Sequence, residues 1–74
     1  MFSSIDLHGC TKQEAKVQLD HCLNSLSQGA HEVTVIHGYS STVLKTFIQK
    51  QYHHRRLVRK ILTLNQGETI LVIK

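Results

Sequence analysis

Ile5-Asp6-Leu7-His8-Gly9-Cys10-Thr11-Lys12-Gln13-Glu14-Ala15 changes its period partway along, and that change decides the architecture. Ile5-Asp6-Leu7 alternates apolar and polar, as a short strand does. Thr11-Lys12-Gln13-Glu14 has the S/T-x-x-E form of a capping box, in which the threonine and glutamate side chains satisfy free N–H groups at a helix start. Ala15, Leu19, Cys22, Leu23 and Leu26 then fall on one apolar stripe of an amphipathic helix. Gly29 is placed to end that helix in the left-handed conformation. Between strand and helix stands the turn His8-Gly9.

The same plan recurs downstream. Glu32-Val33-Thr34-Val35-Ile36 is rich in β-branched residues and predicts a strand. The turn His37-Gly38-Tyr39-Ser40-Ser41 follows, with Ser40 or Ser41 available to cap a second helix. Val43, Leu44, Phe47, Ile48 and Tyr52 predict its buried face. His53-His54-Arg55-Arg56 closes it with positive charge that complements the helix dipole, and reads as a largely solvated helix end. Leu57 to Leu64 and Thr69 to Ile73 predict two more strands, joined by the turn Asn65-Gln66-Gly67-Glu68. The order is βαβαββ. Two crossovers make the first three strands parallel, and the tight turn makes the fourth antiparallel. Both helices pack on one face of a mixed four-stranded sheet, giving an α/β two-layer sandwich.

The chain has 74 residues, which suits a single domain spanning 1–74. A domain of this size buries only about 60% of its unfolded surface, so a shallow surface site is expected rather than a deep cavity. No run of about 18 apolar residues is present to span a membrane. The first residues lack the basic-then-apolar order of a signal peptide. Cys10 and Cys22 would lie roughly 18 Å apart along one helix, too far for a disulfide. Free thiols suit a reducing compartment, and a cytoplasmic location is expected. The net charge of +4, with six histidines besides, favours a polyanionic partner.

In parallel sheets, sites form beyond the carboxyl ends of the strands. Asp6 to Thr11, His37 to Thr42 and Asn65 to Glu68 are expected to meet at that edge, with His53 to Arg56 at the opposite one. Each His-Gly turn feeds a helix N-terminus, which favours anions, and glycine lets backbone approach a phosphate closely. Asp6, His8 and His37 are the candidate catalytic residues, since a carboxylate and imidazoles can move protons during attack on a phosphodiester. Equally, Asp6 could only pin His8 or cap the helix, and Gly9 and Gly38 could only be turn glycines. Asp6 with the two histidines could also hold a divalent metal such as magnesium. His21 and His31 read as solvated, Cys22 as core.

Ile5-Asp6-Leu7-His8-Gly9, with Thr11 and Glu14-Ala15 after it, resembles the opening motif of the Smr (small MutS-related) domain. The second turn, His37-Gly38-Tyr39-Ser40-Ser41-Thr42-Val43-Leu44-Lys45, resembles the H-G-x-G stretch of that family, with Ser40 and Thr42 standing where glycines are usual. The resemblance implies a fold like the C-terminal domain of translation initiation factor 3. It implies nucleic-acid binding and, as in several members, nicking of DNA or endonucleolytic cleavage of RNA. It places Asp6 and His8 in the site as catalytic or structural groups. Gly9, Gly38, Tyr39, Ser40 and Ser41 become phosphate-contacting positions, and Lys45 stands where an arginine is frequent. An endonuclease, a non-catalytic nucleic-acid-binding module and a protein-interaction domain all fit the sequence. The last rests on Thr69-Ile70-Leu71-Val72-Ile73, which is apolar on both faces, so that self-association through the open sheet face is expected.

Overall fold

The computed structural model describes residues 3–26, 29, 32–38 and 42–74. Strand β1 (Ser3–Asp6) leads into helix α1 (Lys12–Ser25), strand β2 (Glu32–Ile36) and helix α2 (Thr42–Thr46). The last runs directly into a π-helical turn, Phe47–Gln51, and strands β3 (Leu57–Leu62) and β4 (Glu68–Ile73) complete the chain. The sheet order is β1-β2-β4-β3. β1 and β2 are parallel, and β4 lies antiparallel to both β2 and β3. The first three strands therefore share one direction, as expected, and the last inserts between β2 and β3. Among the described residues, no helix is long and apolar enough to cross a membrane.

Helix α1 starts where its capping box requires. Glu14 N–H donates to Thr11 Oγ1 at 3.1 Å, and Thr11 N–H donates to Glu14 Oε1 at 2.9 Å. These bonds hold the Glu14 carboxyl below its ordinary value. Ala15, Leu19 and Leu23 are buried, and Cys22 and Leu26 pack half-exposed against the core. Burial pushes the Cys22 thiol up, and both cysteines are free.

The end of α1 differs from expectation. Leu26 is extended, with its N–H on the Cys22 carbonyl, and Gly29 does not adopt a positive φ. The terminus is instead closed by Arg56, whose Nη1 donates to the carbonyls of Leu23 and Leu26 while Nε donates to Lys74 O. α1 has no basic residue in its own last turn; a cation from the turn just before β3 supplies what its dipole favours. His54 joins this junction. It accepts from Arg56 N–H through Nδ1, so Nε2 carries the proton and donates to Asn24. Arg56 and His54 are thus structural rather than a solvated helix end.

Leu44, Ile48 and Tyr52 line the inward row of the second helix. Tyr52 N–H reaches back five residues to the Phe47 carbonyl, a π-type bond that keeps this four-residue row in line. Val43 lies on the flank of the row and is 61% exposed, not buried as its spacing suggested. The Tyr52 hydroxyl donates to Asp20 Oδ1 at 2.8 Å, tying the two helices together. Lys16 bonds the other oxygen of Asp20 at 2.8 Å and, with Tyr52, holds that carboxyl below its ordinary value.

The helices cover one sheet face, where Val33, Val35, Thr69, Leu71 and Ile73 are buried. β3 ends at Leu62, short of the expected Leu64, whose side chain is fully exposed.

Candidate nucleic-acid interface

Three segments do meet at the carboxyl edge of β1 and β2. Leu7 N–H continues the parallel ladder onto the Ile36 carbonyl. Cys10 N–H then donates to Leu7 O at 2.9 Å across His8-Gly9, and Gly9 sits at φ +84°. A positive φ at the third position of a four-residue turn is the type II signature that favours glycine. Asp6 Oδ1 accepts the His8 backbone N–H at 2.9 Å. The carboxylate therefore fixes the turn that carries His8 and does not hold the imidazole itself.

Gly38 has φ +87°, and a Cβ built there would lie 2.9 Å from His8 Cδ2. The exposed His8 ring rests against this glycine, where only a residue without a side chain leaves room. The hairpin completes the edge. Gly67 O accepts from both His37 N–H (2.9 Å) and Gly38 N–H (3.0 Å). Gly67 is itself held by an Asx-type bond from its N–H to Asn65 Oδ1. The result is a shallow cavity of about 290 Å³ bounded by Asp6, His8, Ile36, Gly38, Asn65, Gly67 and Glu68.

His37 is placed differently from His8. Its side chain is fully buried, with Nε2 3.0 Å from Thr69 Oγ1 and Nδ1 3.3 Å from its neighbour's carbonyl, Gly38 O. Gln49 Nε2 donates to the same hydroxyl at 2.9 Å. Every group is satisfied when Gln49 donates to Thr69, Thr69 donates to His37 Nε2, and Nδ1–H faces Gly38 O. The ring thus braces the second turn from within, and the two histidines do not converge. Asp6 and His8 line the outer cavity while His37 points into the core, so the set considered for a metal is not gathered. Among the described residues, no group of three or more His, Cys, Asp and Glu could hold one.

Positive charge lies on the helix side of this edge. Lys12 opens α1 and lines a groove of about 250 Å³ with Thr42, Val43, Thr46 and Gln51. Lys45 sits half-buried on α2. On the other side stand Asp6 and Glu68, both in register with Ile36 and so on the open face of the sheet. Tyr39, Ser40 and Ser41 lie outside the described residues. Sequence reasoning did not single out Lys12, and it placed Gly67 at this edge only as part of the turn Asn65 to Glu68. Lys12 was legible as a cation directly after the first turn; the role of the Gly67 carbonyl depends on β4 lying next to β2.

A family model described as the Smr domain matches residues 5–69. No curated protein matches the chain. Among solved structures, the crystal structure of the Smr domain of Thermus thermophilus MutS2 superposes with a TM-score of 0.85 at 20% sequence identity, covering 97% of this chain and 98% of that one. That identity speaks for the fold alone, but the family match takes in both His-Gly turns and nearly the whole chain. The chain belongs to the Smr domain family.

Proposed function

We propose that this domain binds the phosphate backbone of a nucleic acid at the carboxyl edge of β1 and β2, with His8 as the central contact. The observation that carries the proposal is the exposed His8 ring laid against Gly38, immediately before the N-terminus of α1. An imidazole, two glycine turns and the positive end of a 14-residue helix are together suited to an anion. Asp6 and Glu68 repel phosphate from the sheet side, so a strand reaching His8 is directed towards Lys12 and Lys45. Gly9 and Gly38 are the backbone positions such a strand would cross. The Smr family is known for nucleic-acid binding, which supports this reading.

Phosphodiester cleavage is the second reading, favoured by one observation: His8 shares its cavity with two carboxylates, which hinder binding but could take part in proton transfer. In this reading His8 accepts the proton of the attacking oxygen. Asp6 aims His8 by fixing its backbone, and His37 is a positioning residue. Among the described residues, Asp6, His8 and His37 are not gathered into a ligand set for magnesium.

The test is incubation of the chain with supercoiled plasmid and with structured RNA, with and without chelator, beside His8→Ala and Asp6→Asn. Retarded migration that His8→Ala weakens is the expected result. Cleavage lost in His8→Ala adds the nuclease. Unaltered binding and unaltered cleavage in both variants would remove these residues from the site.

A further inference from the structure

The face of the sheet turned away from the helices carries apolar residues at its centre among polar ones. Across β2, β4 and β3 the register aligns Glu32, Val72 and Arg59 in one row, and Thr34, Ile70 and Ile61 in the next. Ile36 follows beside Glu68. Antiparallel sheets commonly present polar residues on a solvated face, yet the central strand β4 offers Val72 and Ile70 there, both half-buried. Ile36, Ile61, Ile70 and Val72 form one contiguous apolar ridge. Glu32 and Arg59 flank it on opposite sides, and neither joins an ion pair among the described residues, where Lys16–Asp20 is the one found.

We propose that two copies of this chain associate face to face through this ridge, about a two-fold axis running along β4. The charges select the axis. β2 and β3 are equally spaced on either side of β4, about 4.8 Å away, so rotation about β4 exchanges their positions. Glu32 of each copy then faces Arg59 of the other, twice by symmetry, while Val72 and Ile70 meet their own counterparts. An in-plane axis across the strands would bring Glu32 towards the Ile36 end and leave both charges without a partner. Glu68 lies on the axis and faces its own counterpart, which opposes the pairing. The area sets the strength. About that axis β2, β4 and β3 face their counterparts while β1 overhangs, so three strands at about 4.8 Å and about six residues at 3.3 Å make a face of roughly 14 by 20 Å. Burying it on both copies removes on the order of 600 Å² from water, less than a stable specific interface buries. The association is therefore weak and concentration-dependent.

This inference does not rest on nucleic-acid binding. The axis is parallel to the strands, so both His8 edges point the same way, and Ile36 and Glu68, which line the His8 cavity, lie at the margin of the interface.

Sedimentation equilibrium from about 10 μM to about 1 mM tests it on the whole chain. The wild type should shift from monomer towards dimer across that range. Glu32→Lys and Arg59→Glu should each weaken association by about tenfold or more, since each sets like charges opposite one another. The double variant should recover to within about threefold of the wild type, because the pair is restored with its signs exchanged. Glu68→Gln should strengthen association. A wild-type chain that stays monomeric at 1 mM, or a double variant no better than the single ones, overturns the proposal.

Discussion

Two glycines with nearly the same backbone conformation, one in open space and one in contact, allow the contact between the two turns to be measured. Gly9 lies at φ +84° with nothing within 4 Å of a built Cβ; Gly38 lies at φ +87° with His8 Cδ2 at 2.9 Å. Alanine at either position meets the left-handed conformation, which disfavours a side chain by about 1–2 kcal/mol. Part of this is offset by about 0.4–1 kcal/mol from the stiffer unfolded chain. Gly9→Ala should therefore destabilise by about 1 kcal/mol. For a domain of this size that lowers Tm by roughly 4–8 °C. Gly38→Ala must also push the His8 ring off its site, and an off-rotamer side chain adds about 0.5–1.5 kcal/mol. Urea denaturation followed by circular dichroism gives both values, and repeating the pair in a His8→Ala background isolates the contact. In that background the two substitutions should become equal. Equal losses in the wild type, or a difference that persists without His8, would refute the claim that His8 rests on Gly38.

Other consequences are directly measurable. His37→Leu leaves the buried Thr69 hydroxyl without the ring nitrogen it donates to and should destabilise by about 1–3 kcal/mol, whereas exposed His8→Ala should stay within about 0.5 kcal/mol; chemical denaturation compares them. Arg56→Met frees the Leu23, Leu26 and Lys74 carbonyls and should cost about 1.5–3 kcal/mol, and Arg56→Lys should recover little of it, because an ammonium lacks the fork that reaches both termini. The Asp20 carboxyl is depressed in the folded chain, chiefly by Lys16 and then by Tyr52. Its contribution is thus present above the unfolded value near pH 4 and is lost as pH falls through the lower folded value. Lys16→Met should flatten the acid limb of a Tm-against-pH curve below about pH 4, and an unchanged limb would count against the assignment.

What the sequence disclosed was local. Thr11 and Glu14 lie three residues apart and form their box without help from the rest of the chain, so α1 starts where its letters say. The strand directions follow from connection lengths alone. The misses are non-local. Gly29 looked like a helix stop, but Arg56 reaches across from β3 to close α1. His37 and His8 share the same motif, yet β4 inserts beside β2 and carries Thr69 to His37. One imidazole is thereby buried while the other stays outside. Val43 fell on the expected stripe and is exposed because the π turn favours the row through Leu44, Ile48 and Tyr52. The sequence left Asp6 between catalysis and pinning, and its carboxylate accepts the His8 backbone N–H.

His8 and its neighbouring turns are proposed to meet a phosphate backbone. The most direct measurement is the affinity of the chain for a labelled structured RNA and a branched DNA across a salt series, beside His8→Ala and Lys12→Gln. The account predicts that log K falls linearly with log salt. It predicts that Lys12→Gln lowers the slope by about one unit while weakening all sequences alike, and that His8→Ala weakens binding without unfolding the chain. Binding that is absent, independent of salt, or untouched by both substitutions would contradict it.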